Sequence, residues 1–325
     1  MGMRRLARLV VIFPISILCI PSVAFAERVP DDEARRILHA TDTRGGLVVR
    51  VGCDDGELTA ALQDGDRYLV HGIDTDPNAI GRSRRHIQSL GMYGRSAVDR
   101  FDGKTLPYVD NLVNLLVVEE RGRLTDGEIM RVLCPKGVAY VRDRGKWTRI
   151  VKAWPNAIDE WTHYLYDAGG NAASRDRTVG PPRHFQWIAE PRFSRSHDHL
   201  ASVSAAVSAS GRLFSIVDEG SIAFAAAQSR WRLVARDAFN GILLWQREIG
   251  QWEYHLRDFR SGPADIARRL IAMGDHVYVT LGYGEPVACL DAATGETVRV
   301  YPDTEGAQEM VLSQGKLYVV LGEPR

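Results

Sequence analysis

The sequence predicts two domains of different class, an α/β domain followed by an all-β repeat array. Three observations predict it. Residues 30–152 alternate short apolar runs with amphipathic segments. Residues 184–325 hold two copies of one hairpin signature, A-R-D-A-F-N-G-I-L-L-W over 235–245 and C-L-D-A-A-T-G-E-T-V-R over 289–299. Between the two regions stands Gly180-Pro181-Pro182, a boundary because proline suits neither helix nor sheet interior. A length of 325 residues fits about two domains of roughly 150 residues each.

The first 26 residues stand outside the fold. Arg4, Arg5 and Arg8 precede an apolar run from Leu9 to Ile20, and Ala24-Phe25-Ala26 is a small-x-small cleavage site. That order is a secretory signal peptide. The run is shorter than the roughly 20 residues a membrane span takes. Ser16-Ile17-Leu18 before Cys19 lacks the small residues of a lipoprotein signal. The full chain has zero formal charge, which removes a global electrostatic case for nucleic acid. Cleavage would leave it mildly acidic and exported, to the periplasm or outside the cell, with no integral membrane segment. Cys53, Cys134 and Cys289 then remain. An odd count rules out complete internal pairing, and their spacing fits no zinc pattern. They read as small buried thiols.

In the α/β region, Gly46–Val51 is a buried strand, Gly52–Gly56 a loop and Glu57–Gln63 a helix. Tyr68–Ile73 is a second strand. Asn78–Leu90 is helical, with Ile80, Ile87 and Leu90 at helical spacing and Arg82, Arg84 and Arg85 on the wet side. Leu112–Val118 and Gly137–Val141 are further strands. Such alternation implies a mostly parallel sheet covered on both faces, with ligands expected beyond the carboxyl ends of the strands.

The stretches V-G-C-D-D-G-E-L-T-A-A-L (51–62), G-I-D-T-D-P-N-A-I (72–80), F-D-G-K-T-L-P-Y-V-D-N-L-V-N-L-L-V-V (101–118) and E-I-M-R-V-L-C-P-K-G-V-A-Y-V (128–141) resemble the class I S-adenosylmethionine-dependent methyltransferases, in the family's own order. The resemblance implies a Rossmann-like domain over 27–152. In it Gly52 and Gly56 would approach the methionine part of the cofactor, Asp74 would accept from the ribose hydroxyls, and Asp102 would lie near the adenine. Three positions depart from the pattern. Arg50 stands where the family usually has an acid, Asp54 where it has a glycine, and Asn114 where it often has Asp. A cation beside the cofactor's ammonium and sulfonium, and an anion beside its carboxylate, oppose binding. Like charges about 4 Å apart cost roughly 1 kcal/mol in water and about 4 at an effective dielectric of 20. Export also separates the domain from a cytosolic cofactor. The expectation is a domain that keeps the fold without methyl transfer.

From Lys146 the pattern changes. Trp147, Trp154 and Trp161 recur every seven residues, but Pro155 interrupts any helix. The segment, with 153–183 as its domain-level bounds, reads as a linker whose aromatic residues cover the seam between domains.

In the repeat array, Phe185-Gln186-Trp187 is expected to lead in as a strand. Four strands follow at Val203–Ser208, Gly211–Val217, Trp231–Asp237 and Ile242–Glu248, with insertions around 218–230 and 252–265. Four more come at Leu270–Met273, His276–Leu281, Val287–Asp291 and Thr297–Tyr301. Met310–Ser313 and Lys316–Leu321 begin a third set. The step of about 40 residues is that of a four-stranded propeller blade. The signature is similar to that of the pyrroloquinoline-quinone-type (PQQ-like) propeller repeats. Ala235, Asp237, Gly241 and Trp245 match, with Asn240 in place of Thr. The second copy keeps Asp291, Thr294 and Gly295 but has Cys289 and Arg299 for Ala and Trp. Asp bonds its own turn, Gly supplies positive φ, and Trp lies flat between blades. The resemblance implies the scaffold. Neither the adjacent cysteines nor the calcium-binding Glu, Asn and Asp of a quinoprotein dehydrogenase stand out.

About two and a half blades do not close a propeller. The expectations are a longer parent chain, or closure and self-association through an open strand edge. Ser196-His197-Asp198-His199, with His163, Asp167 and His255 elsewhere, reads as a solvated loop. A metal pair at His197 and His199 is the sharper alternative, and a hydrolase triad lacks its Gly-x-Ser-x-Gly elbow. The function expected is exported binding or scaffolding of an unknown protein or small-molecule partner. The rival readings are a PQQ-dependent oxidoreductase and an S-adenosylmethionine-dependent methyltransferase.

Overall fold

The structure is a computed structural model that describes residues 32–181, 184–190, 203–221, 223, 228–252 and 265–322. The signal-like residues 1–26, the Ser196–His199 cluster and His255 lie outside the described residues, as do parts of both insertions.

Helix α1 (Asp32–Thr41) opens the first domain, followed by β1 (Gly46–Val51), α2 (Glu57–Ala61), β2 (Tyr68–Asp74) and α3 (Pro77–Ser89). Then come β3 (Ser96–Arg100), β4 (Val113–Val118), α4 (Asp126–Val132), β5 (Leu133–Asp143) and β6 (Lys146–Val151). The strands form one sheet in the order β3-β2-β1-β4-β5-β6. All pair in parallel except β6, which turns back against β5. Successive residues of the central strands point to opposite faces, and both faces are covered. Val48, Leu115 and Val117 share a core with Ile37 and Leu38 of α1. Val49, Leu116 and Val118 share another with Ile129 and Val132 of α4. Burial on both sides is why these strands read as unbroken apolar runs. Asp76 caps α3 by accepting from the Asn78 and Ala79 amides, with Pro77 in the first turn.

Strand β6 takes the first part of the aromatic segment into the sheet, where Trp147 stacks on Tyr140 with ring centroids 4.6 Å apart. The rest of the segment crosses the repeat domain. Trp161 and Ser208 exchange backbone and side-chain bonds, and the Ala272 amide donates to the Thr162 carbonyl. The Leu312 amide donates to His163 Nε2 at 3.0 Å.

The repeat domain holds three antiparallel meanders. The first is β7 (Val203–Ala209), β8 (Arg212–Asp218), β9 (Trp231–Asp237) and β10 (Leu243–Glu248). The second is β11 (Leu270–Met273), β12 (His276–Thr280), β13 (Val287–Asp291) and β14 (Thr297–Val300). The third is β15 (Ala307–Ser313) with β16 (Lys316–Leu321). Strand β11 lies against both β7 and β15, so the first strands of the three sheets sit side by side at a hub. Residues 161–163 therefore touch the innermost strand of every sheet in turn, as a strap rather than a spacer. The outer edge of β16 has no neighbouring strand among the described residues, and Tyr318 and Val320 are exposed there.

The hairpin signature repeats atom for atom. Asp237 Oδ1 accepts from the Phe239 and Asn240 amides, as Asp291 Oδ1 does from Ala293 and Thr294. Trp245 covers Gly295 so closely that a Cβ there would lie 2.6 Å from the indole. Its Nε1 donates to the Ala292 carbonyl. Trp187 does the same one blade earlier, over Gly241 and to the Ala238 carbonyl. Residues 185–187 form no strand, contrary to expectation. The segment instead supplies the tryptophan that a preceding blade would present. Trp187→Phe keeps the ring and removes the donor, so it should lower stability by about 1 kcal/mol in urea melts.

His163 adds a pH dependence. It is 5% exposed, and accepting at Nε2 requires its proton on Nδ1, which then donates to Thr162 Oγ1 at 2.8 Å. Burial lowers its pKa below the usual 6.5. The unfolded chain therefore binds the proton first as pH falls. Stability is intact above 6.5 and declines as pH drops toward the folded value. The melting midpoint should fall over that range in the native chain and fall less in His163→Gln, whose amide oxygen still accepts.

Candidate functional site

The carboxyl ends of β1, β2 and β4 meet at the end of the sheet that carries Gly52, Gly56, Asp74 and Asp102. Gly52 and Gly56 bound the loop after β1, at φ of +88° and +92°. A Cβ on Gly56 would lie 2.8 Å from Ser83 Cα of α3, so the glycine lets that helix close on the loop. Ser83 Oγ then donates to the Cys53 carbonyl at 3.1 Å. Asp74 Oδ2 accepts from the Cys53 amide at 2.7 Å, and Oδ1 from the Asp76 amide at 2.9 Å. Asp102 stands in the next loop, which the Phe101 amide ties to the Asp74 carbonyl. Its Oδ1 accepts from the Thr105 and Lys104 amides, and those bonds lower its pKa. The four residues singled out in the sequence thus lie at one end of the sheet.

What fills that end is Arg50. Its side chain is 4% exposed. Nη2 pairs with Asp54 Oδ2 and Glu119 Oε1, each at 2.7 Å, and Nε with the same Glu119 oxygen at 3.2 Å. Nη1 donates to the Cys53 carbonyl at 3.0 Å and to Thr59 Oγ1 at 3.4 Å. The two departures at positions 50 and 54 are therefore one compensated pair. Asp54 takes a left-handed φ of +48°, a conformation Asp tolerates better than most residues. Glu119, the third member, passed unnoticed in the sequence because nothing local links it to Arg50. These residues do not fit the methionine end of S-adenosylmethionine. The Arg50 guanidinium and the Asp54 carboxylate, which replace the family's acid and glycine, are bonded to each other and to Glu119 instead. Cys53 is buried as well, and burial followed by the Asp74 charge raises its pKa to about 12.

The opposite end of the sheet receives the repeat domain. Asn114, at the start of β4, accepts at Oδ1 from the Leu47 amide and from Asn240 Nδ2, both at 2.7 Å. Its Nδ2 donates to Asp237 Oδ2 at 2.6 Å. Asn240 Nδ2 also reaches the Leu112 carbonyl at 3.0 Å. Ile242 packs into the core beside β4 and β5, and Trp154 meets Phe239 edge-on. Asn240 keeps the work of the usual threonine, since its Oδ1 accepts from the Ile242 amide as Thr294 does from Glu296. The amide adds a donor that threonine lacks.

Residues 186–324 match the family model described as outer membrane protein assembly factor BamB. The C-terminal domain is a PQQ-like repeat domain. An uncharacterized protein of Haemophilus influenzae is 25% identical over 104 residues, covering 30% of this chain and 41% of that protein. The chain thus spans about two fifths of the length of this curated relative. Two solved structures illustrate the other similarity. A SAM-dependent methyltransferase from Aquifex aeolicus is 18% identical, with a TM-score of 0.30, over 35% of this chain and 68% of that one. A geranyl diphosphate C-methyltransferase from Streptomyces coelicolor is 15% identical, with a TM-score of 0.31, over 34% and 43%. The α/β assignment of residues 32–152 rests on their own strand order. Within the PQQ-like domain and elsewhere, no group of three or more His, Cys, Asp or Glu is placed to hold a metal among the described residues. All three described cysteines are free and buried, and no described helix is long and apolar enough to cross a membrane.

Proposed function

We propose that this chain is an exported, non-catalytic binding or scaffolding protein. Its PQQ-like repeats present the partner surface, and its α/β domain serves as a base on which the first blade is seated. The observation that carries the reading is the Arg50–Asp54–Glu119 network at the carboxyl end of the sheet. That network ties up the loop after β1, which the resemblance assigns to the methionine part of the cofactor. Export is supported by the arginine-then-apolar start of the chain and by the outer-membrane description of the matching family.

Calorimetry of the full chain with S-adenosylmethionine tests the non-catalytic part. No heat beyond dilution at millimolar ligand is expected, and micromolar binding would overturn the proposal. Alkaline phosphatase fused behind residues 1–26 tests export. Periplasmic activity is expected, and a cytoplasmic, inactive fusion would remove that part. Pairing of β16 edges belongs to the same reading, and a monomer on gel filtration at high concentration would exclude it.

A further inference from the structure

At the seam between the domains lies a cleft of about 570 Å³. It opens at the amino ends of the strands, the opposite end of the sheet from Arg50. Its acidic side chains are all engaged. Asp42 pairs with Arg44 at 3.2 Å, and Asp291 lies 3.9 Å from the same guanidinium. Asp275 pairs with Arg212 at 3.2 Å. Asp237 is spent on its own turn and on Asn114, and burial raises its pKa. Arg44 and Arg212 are matched by Asp42 and Asp275, while Asp291 and Asp237 are held by the amides of their own turns and by Asn114.

Two cations are left. Arg149 of β6 makes one long bond, 3.4 Å to the Thr41 carbonyl. Lys136 donates to Ser210 Oγ at 3.1 Å and lies over the Trp154 ring at 5.4 Å. Neither has a carboxylate partner among the described residues. The position of Lys136 is also unusual. The β4–β5 register jumps from Val113↔Leu133 to Leu115↔Val138, so residues 134–137 bulge out of the ladder. Lys136 sits in the bulge at φ +64°, a left-handed conformation that costs a lysine roughly 1 kcal/mol or more. Bulges next to functional sites re-aim a side chain, and this one delivers an ammonium to the cleft.

We propose that the seam cleft binds a small molecule bearing two or more oxyanion groups, with Lys136 and Arg149 as the charges that hold it. The ligand would touch both domains at once, through these residues and Ser210, and so would stiffen the seam. The site is independent of the Arg50 end of the sheet and stands whether or not the chain is exported.

The test is calorimetry of the full chain with citrate and, separately, pyrophosphate, at ionic strength matched with sodium chloride. Glucose is the neutral control. Saturable one-to-one binding of either anion is expected, and the tighter of the two identifies carboxylate or phosphate as the preferred group. Lys136→Met and Arg149→Met should each weaken it about tenfold or more, as loss of one charge-assisted contact does. Arg82→Met/Arg85→Met, on the exposed side of α3, should leave it unchanged. Melting midpoints check that each variant is folded. No saturable binding of either anion, or binding that survives the Lys136/Arg149 double substitution, would overturn the proposal.

Discussion

Asn114→Asp should destabilise the folded chain by about 3 kcal/mol in urea unfolding at neutral pH. The change alters a single group, yet it strikes the contact between the domains. The Asn114 amide donates to Asp237 Oδ2 at 2.6 Å. An aspartate there sets two carboxylates against each other, and Asp237 is only 5% exposed. Relief comes only by moving apart, which breaks the bonds to Asn240 and Leu47, or by sharing a proton. Sharing raises one folded-state pKa above its unfolded value. The folded variant therefore binds the extra proton, and its deficit should shrink on acidification and grow as pH rises. A pH-independent deficit would show that the repulsion between the two carboxylates is not the cause.

Arg50→Met is the second large effect, again about 3 kcal/mol. The guanidinium is the common donor for two carboxylates, a carbonyl and a hydroxyl. Methionine fills similar space but leaves Thr59 Oγ1 without the Arg50 donor, while the Cys53 carbonyl keeps the Ser83 hydroxyl and the Gly56 amide. It also leaves Glu119, whose side chain is 25% exposed, without a cation. Arg50→Lys should recover part of the loss, because one ammonium reaches fewer of the acceptors. A deficit under 1 kcal/mol for Arg50→Met would mean that water replaces the network at little cost and that the loop after β1 is not held by it.

The two effects mark how far the sequence could be read. The strands of both domains were legible wherever burial was two-sided or the hairpin signature was present, as at Gly46–Val51 and Trp231–Asp237. Strand β3 escaped notice because Asp99 and Arg100 are exposed and S-A-V-D-R carries little apolar signal. Helix α4 is one short amphipathic stretch capped by Thr125, too brief for a periodicity to show. Strand β6 was absorbed into the tryptophan spacing. Arg50, Asp54, Asn114 and Asn240 were each visible as departures from a pattern. Their partners were not, since Glu119 lies 69 residues from Arg50 and Asp237 lies 123 from Asn114. A departure read alone looks like loss of a function. Paired in space, two of them bond to each other at one end of the sheet, and the other two fasten a second domain to its opposite end.

Native-state hydrogen exchange at the side-chain amides of Asn114 and Asn240 tests that fastening most directly. The Asn114 amide donates to Asp237, and the Asn240 amide to Leu112 and Asn114, so these bonds cross the seam and open when it opens. They should exchange with the same opening free energy as Val49 and Leu116 in the core of the sheet. Exchange about a hundredfold faster than at Val49 and Leu116 would show the domains parting while each stays folded, and would contradict the role of the sheet as the seat of the first blade.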